Sequence, residues 1–253
     1  MVRLHTTPRL VIAAFAAFLL VPGLALAEEL ILDGGFEAIK NGKQLRMDNE
    51  GQDWYESRKD REGRKLLMLS TKKIRGNATQ KAMLKADPEL NTYLSQRLAA
   101  PVTGAFTASY DVCVKLIRPE YDRSAFFFCG ESTDKKNGPN STGKERWVFL
   151  GFENAGAEGK INLFAREADK SWDERTILAR DLDLMTWYTI TVDGDVAAGA
   201  YTVTVGDGAP SAPLQAFKTK KKDPPAQLTH VSFATWNDGA GTFYVDNVSV
   251  RTK

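Results

Sequence analysis

The sequence predicts an all-β protein folded as a two-sheet antiparallel β-sandwich. Apolar residues at helical spacing are nearly absent, short runs of alternating apolar and polar residues follow one another, and turn-forming residues separate these runs. This pattern corresponds to about a dozen strands, most of them in consecutive hairpins. At most a turn or two of helix is expected, around TQKAMLKADPEL (79–90).

The strand assignments follow from alternation and from the turns between the runs. RWVFLGF (146–152) is apolar on both faces, as expected of a central strand covered on both sides. The other clear strands are YDVCVKLI (110–117), KINLFARE (160–167), a hairpin of WYTITVD (187–193) and AYTVTVG (200–206), and a hairpin of THVSFATW (229–236) and GTFYVDNVSV (241–250). No blade motif repeats, so a β-propeller is excluded and a jelly roll is predicted.

The first 27 residues are typical of a secretory signal peptide. Arg3 and Arg9 precede the apolar run VIAAFAAFLLVPGLALA (11–27), which ends in a small-residue Ala-Leu-Ala motif. The rival interpretation is an uncleaved membrane anchor, and the cleavage motif favours removal. We therefore expect a secreted or periplasmic protein with no membrane span after cleavage.

The charge balance argues against a nucleic-acid partner. The chain has 34 basic and 32 acidic residues, and the signal carries two of the basic ones, so the remaining 226 residues are formally neutral. The basic run KTKKKDPP (218–225) is interpreted as a solvated loop. Residues 28–253 are predicted to form a single sandwich domain, since all-β domains often reach this size.

The two cysteines lie in neighbouring predicted strands. If 110–117 and 124–130 form a hairpin, the register that pairs Ile117 with Ala125 also places Cys113 opposite Cys129. An exported protein can keep such a pair as a disulfide. A register slip of one residue would instead leave two separate buried thiols.

The ends and the middle of the chain resemble known carbohydrate-recognising folds. LILDGGFE (30–37) and FYVDNVSV (243–250) resemble the framing strands of carbohydrate-binding-module jelly rolls. YLSQRLAAPVTGAFTASYDVCV (93–114) and the two hairpins above resemble a concanavalin A-like (laminin-G-like) lectin/glucanase sandwich. The resemblance implies a jelly roll over most of residues 29–251. It leaves the activity open, because this fold hosts lectins, glycoside hydrolases, polysaccharide lyases and adhesion modules.

The resemblance also implies a structural calcium ion where the first and last strands meet. The matching positions are Asp33, Glu37 and Asp246, and carboxylate oxygens are ligands that calcium prefers. Asp246 lies in an otherwise apolar strand, where an unpaired carboxylate would be costly to bury. The alternatives are that Asp246 caps a turn or faces water, and that Asp33 belongs only to a bulge.

For ligand contact, we expect aromatic side chains that stack on sugar rings, with polar groups beside them. The candidate set is Trp54, Arg58, Trp147, Arg166 and Trp236. Trp54 and Trp236 lie beside polar residues at predicted strand–loop junctions, which suits a binding surface, although a single tryptophan is more often a packing residue. Trp187 opens a strand and is interpreted as core.

The enzyme motifs expected of this fold are missing. His230 is the only histidine after the signal and is interpreted as structural. The chain has no E-x-D-x-x-E pattern of the glucanases and none of the R-x-E-x-R, Q-x-H or Tyr-Lys-x-Gly-x-Tyr stretches of the lyases. The sequence therefore predicts an exported, non-catalytic module that binds a polysaccharide or cell-surface glycan and holds calcium. A lyase or hydrolase of the same fold, and a structural or adhesive envelope module, are the alternatives.

Overall fold

A computed structural model describes residues 27–38, 52–56, 67–86, 91–117, 123–132, 138, 145–168, 172–219, 222–235 and 241–253. Nearly all of the predicted signal peptide lies outside these residues. The described chain forms two antiparallel sheets of seven strands each, which confirms the predicted β-sandwich. No helix in this part of the chain is long and apolar enough to cross a membrane.

The first sheet has the strand order β1-β4-β13-β6-β7-β8-β9. Its strands are β1 (Tyr55–Glu56), β4 (Tyr93–Val102), β6 (Arg123–Gly130), β7 (Arg146–Asn154), β8 (Lys160–Ala165), β9 (Thr176–Asp183) and β13 (Leu228–Ala234). The second sheet has the order β12-β11-β10-β5-β14-β3-β2. Its strands are β2 (Leu67–Ser70), β3 (Lys81–Lys85), β5 (Ala105–Ile117), β10 (Trp187–Asp195), β11 (Ala200–Val205), β12 (Leu214–Gln215) and β14 (Gly241–Thr252).

The main hydrophobic core lies between the two sheets and is built from alternate residues of their strands. Val112 and Val114 of β5 and Ile190 and Val192 of β10 point into it. The predicted hairpin of β10 and β11 is confirmed, with Val192 opposite Val203. β7 is buried along both faces, as its apolar sequence predicts.

Two predicted hairpins are wrong, because the strands in each belong to different sheets. β5 pairs with β10 and β14, while β6 pairs with β7 and β13. Likewise β13 lies in the first sheet and β14 in the second. Within the stretch where at most a turn or two of helix is expected, residues 81–85 form β3, and residues 87–90 lie outside the described residues. The only helix among the described residues is a 3₁₀ turn at Trp172–Glu174.

The separation of β5 from β6 also removes the basis for the predicted disulfide. Both cysteines are free. Cys129 points into the main core, whereas Cys113 lies on the outer face of the second sheet, packed with Met83 and Tyr244. Burial raises the pKa of Cys113 to about 11 and that of Cys129 to about 12, so both are thiols at neutral pH.

The first and last segments of the described chain lie side by side, as predicted. The backbone N–H of Leu30 donates to the carbonyl of Val250 at 2.7 Å, and that of Val248 donates to the carbonyl of Gly34 at 2.9 Å. A side-chain carbon at Gly34 would lie 1.7 Å from the Val248 carbonyl oxygen, so only glycine admits this approach.

Candidate functional site

Asp246 lies at this junction of the first and last segments and is fully buried. Its carboxylate accepts three hydrogen bonds from protein donors. Asn77 Nδ2 and Thr79 Oγ1 both donate to Oδ2 at 2.7 Å, and the backbone N–H of Asn247 donates to Oδ1 at 2.9 Å. Asn247 has a φ of 51° and interrupts the register between β14 and β5, which is a β-bulge.

The other two predicted calcium ligands bind backbone N–H groups. Asp33 accepts the N–H of Glu37 at 2.8 Å and of Ala38 at 3.0 Å, so it caps its own turn. Glu37 Oε1 accepts the N–H of Gln80 at 2.7 Å. Among the described residues, no group of three or more acidic, histidine or cysteine side chains could hold a metal ion.

A lysine lies beside the same carboxylates. Lys81 of β3 is fully buried, and its Nζ donates to the carbonyls of Lys72 and Thr79. Calcium needs six to eight oxygen ligands around one position. The arrangement here does not fit that requirement, because an ammonium group lies beside Asp246 and Glu37 and because Asp33 caps its own turn.

The predicted ligand-contact residues are placed differently from the expectation. Trp54 and Trp147 are 2% and 1% exposed and pack in the main core, so neither can stack on an external sugar, and the prediction is wrong for both. Trp54 Nε1 donates to the carbonyl of Asp33 at 2.9 Å. Arg58 and Trp236 lie outside the described residues.

Arg166 belongs to a packed aromatic layer on the outer face of the first sheet. Its guanidinium lies 5.3 Å from the ring centre of Phe149, and that of Arg146 lies 4.8 Å from the same ring. The layer consists of Tyr93, Phe126, Phe128, Phe149, Phe164, Phe217 and Ala234, all buried. A side-chain carbon at Gly151 would lie 2.7 Å from the Phe126 ring, so this glycine makes room for the layer.

His230 lies on the same outer face, beside this aromatic layer. It is 3% exposed and pairs with Arg97 of β4. Its Nδ1 atom lies 2.8 Å from the Oγ1 atom of Thr229. Burial lowers the pKa of His230 to about 4, and the charge of Arg97 acts in the same direction. Its imidazole is therefore neutral at physiological pH.

The outer face of the second sheet differs, because it carries an open cleft of about 590 Å³. We call this the Trp187 cleft, and its lining residues are Arg75, Asp183, Leu184, Met185, Thr186 and Trp187. Of the tryptophans whose side chains the structure describes, only Trp187 reaches solvent. Trp187 also packs against Cys113 and Met83, so the ring has a buried face and an accessible one.

The geometry of the Trp187 cleft is fixed by hydrogen bonds before any ligand arrives. Trp187 Nε1 donates to the carbonyl of Ile74 at 2.8 Å. Ile74 and Asn77 exchange backbone hydrogen bonds at 2.9 and 3.0 Å across Arg75 and Gly76, whose φ values of 47° and 94° are those of a type I′ turn. This turn holds Arg75 at the cleft. The carboxylate of Asp183 is paired with Lys160 at 2.6 Å.

The cleft combines an aromatic ring with several polar groups. An aromatic ring supplies apolar stacking area, and a few polar groups around it, here Arg75, Asp183 and Thr186, can fix orientation. Sequence reasoning missed this cleft because it interpreted Trp187 as core. The signal was present in the Arg-Gly pair after Ile74, a turn sequence that presents an arginine at its tip.

No protein-family model matches the sequence, and no curated protein sequence matches it. Solved structures do match. A carbohydrate esterase of the Shiga toxin-encoding bacteriophage phi24B aligns with a TM-score of 0.53 and 13% identity, over 83% of this chain and 96% of its own. A sialidase aligns with a TM-score of 0.51 and 10% identity, over 83% of this chain and 19% of its own.

A third match is the family 7 alginate lyase A1-II′ in complex with its product, with a TM-score of 0.51 and 12% identity, over 75% of this chain and 84% of its own. The chain has the concanavalin A-like jelly-roll fold. This confirms the fold that the sequence resemblance implies. The chain spans about a fifth of the sialidase it matches, and at these identities the similarity concerns the fold.

Proposed function

We propose that this jelly roll binds a polysaccharide in the Trp187 cleft without cleaving it. The observation that carries the proposal is the half-buried Trp187 ring beside Arg75 and Thr186 in an open cleft. Aromatic side chains stack on the apolar faces of sugar rings. Ligand pockets in proteins have volumes of roughly 300–1,000 Å³, and the Trp187 cleft falls within this range. The carbohydrate-active proteins among the structural matches agree with this class of ligand.

The charge in the cleft favours a glycan that carries acidic groups. Asp183 is neutralised by Lys160, while Arg75 is exposed at the tip of its turn. A guanidinium can accept a carboxylate or a sulfate with two parallel hydrogen bonds. A uronate or sulfated sugar unit is therefore preferred over a neutral one.

The test is a glycan panel containing neutral, uronate and sulfated polymers, followed by calorimetric titration of the best ligand. Trp187→Ala is expected to weaken binding at least about 10-fold, as truncation of a central aromatic contact does. Trp187→Phe keeps a ring and should retain most of the affinity. Leu116→Ala, which removes an exposed apolar side chain elsewhere on the same sheet, is the control and should bind normally. Absence of binding across the panel, or normal binding by Trp187→Ala, would overturn the proposal.

A polysaccharide lyase is the second candidate, because His230 and Arg97 lie opposite each other on the outer face of the first sheet. A neutral imidazole can accept a proton, and an arginine can neutralise a uronate carboxylate. The near-complete burial of His230 makes this candidate weaker. Incubation with uronate polymers tests it by the absorbance of new unsaturated ends, and release of such ends, lost in His230→Ala, would replace non-catalytic binding as the proposed function.

A further inference from the structure

The junction of the first and last segments contains a buried lysine and a buried aspartate whose charges interact. Val245 of β14 pairs with Ala82 of β3 at the end of that ladder, and Asp246 and Lys81 are the next residue along each of the two antiparallel strands. Both residues are fully buried. A buried ionised group is stable only with a partner of opposite charge and with hydrogen bonds to its remaining polar atoms.

Each of the two charges has those hydrogen bonds. Thr79 joins them, because its Oγ1 donates to Asp246 Oδ2 while its carbonyl accepts from Lys81 Nζ. The second carbonyl bound by Lys81 Nζ is that of Lys72, at 3.1 Å. Lys72 and Thr79 flank the turn that carries Arg75, so Lys81 ties the two sides of this loop together.

The acidic neighbours favour the charged form of Lys81. Burial lowers the pKa of Lys81, and the negative charges of Asp246 and Glu37 oppose this shift. The ammonium group thus binds backbone carbonyls and neutralises carboxylates from the N-terminal and C-terminal segments. A structural calcium ion would perform the same two tasks.

We propose that the Lys81 ammonium takes the place of calcium in this jelly roll, as an internal cation that fastens the 72–79 loop and the DGGFE segment to β14. The protein is then closed without a metal ion. This inference concerns the junction alone, and it stands whether or not the Trp187 cleft binds a glycan.

Thermal unfolding of the full mature chain tests the proposal, with added calcium and with a chelator. The midpoint of the wild type should be the same in both. Lys81→Met keeps most of the side-chain volume and removes the charge, and it should lower Tm by about 10 °C, as expected when one partner of a buried charge pair is removed. Lys85→Met, on the same strand but exposed, is the matched control and should leave Tm nearly unchanged.

A double-mutant cycle separates charge pairing from general packing. Asp246→Asn removes the opposite charge, so Lys81→Met combined with Asp246→Asn should lower Tm by less than the sum of the two single changes. Additive effects would overturn the proposal, as would a Lys81→Met variant as stable as Lys85→Met. A wild-type Tm that falls with the chelator and recovers with calcium would overturn it as well, and would restore calcium to this junction.

Discussion

The outer faces of both sheets carry aromatic residues, yet among the described residues only the second sheet presents one of these rings to solvent. On the first sheet, Phe149 and its neighbours form a buried layer. Phe217 belongs to this layer, and its segment lies beside β7, with the Phe217 N–H donating to the Trp147 carbonyl at 2.8 Å. On the second sheet, Trp187 lines an open cleft. An outward-facing aromatic residue is therefore buried in a layer or accessible to solvent according to what packs around it.

The same difference applies to the charged groups. On the first sheet the Arg146 guanidinium lies over buried rings, which replaces part of its hydration by cation–π contact. On the second sheet Arg75 is exposed in the turn between Ile74 and Asn77. The first face is tightly packed, whereas the second leaves polar groups accessible to solvent.

The largest expected loss of stability comes from removing an aromatic ring of the packed layer. Phe149→Ala should lower the free energy of unfolding by about 3–5 kcal/mol, because it deletes a fully buried aromatic side chain and leaves a cavity. Trp187→Ala, the matched change on the open face, should cost about 1–2 kcal/mol, since only part of its ring is buried. Chemical denaturation measures both, and equal costs would contradict the distinction between the two faces.

Acid should destabilise the packed face through His230. Its pKa is about 4 in the folded protein and near 6.5 when unfolded, so the unfolded chain binds more protons between these values and stability falls as the pH falls. The loss should approach about 3 kcal/mol by pH 4, from a shift of between two and three units. His230→Gln should flatten the dependence of unfolding free energy on pH in this window. An unchanged profile would show that His230 is not buried in its neutral form.

A smaller loss of unfolding free energy is expected from adding a methyl group at a position where the packed layer leaves no space for a side chain. Gly151→Ala would place a carbon 2.7–2.8 Å from the rings of Phe126 and Phe164, and shifting buried rings costs about 1–3 kcal/mol. Gly104→Ala is the control, because the added carbon meets no atom within 4 Å. Its free energy of unfolding should change by no more than about 0.5 kcal/mol. Denaturation midpoints that are the same for both variants would mean that the layer is loosely packed.

Much of the fold could be predicted from local alternation, but the pairing of strands could not. Alternation identified β5, β10 and β11 because it reports which residues of one strand share a face. It carries no information on whether a loop returns to the same sheet or crosses to the other. That is why the hairpin that paired Cys113 with Cys129 is wrong although both of its strands exist.

The candidate site was harder to predict, because its residues come together only in the folded chain. The hydrogen bond between Trp187 and Ile74 joins residues 113 positions apart in the sequence. The DGGFE segment could be matched to β14 from the resemblance of its residues to known modules, and that match is confirmed. The role of Lys81 could not be foreseen, since nothing in KAMLK indicates that the lysine will face two carboxylates from distant segments.

The position of β14 sets the order in which the sandwich can be assembled. It is the last strand of the chain, yet it lies in the interior of the second sheet, between β5 and β3, and the first described segment pairs with it as well. Without β14 the second sheet is divided into two parts, one ending at β5 and the other at β3. Completion of this sheet therefore requires non-local pairing, and topologies rich in such pairing fold slowly.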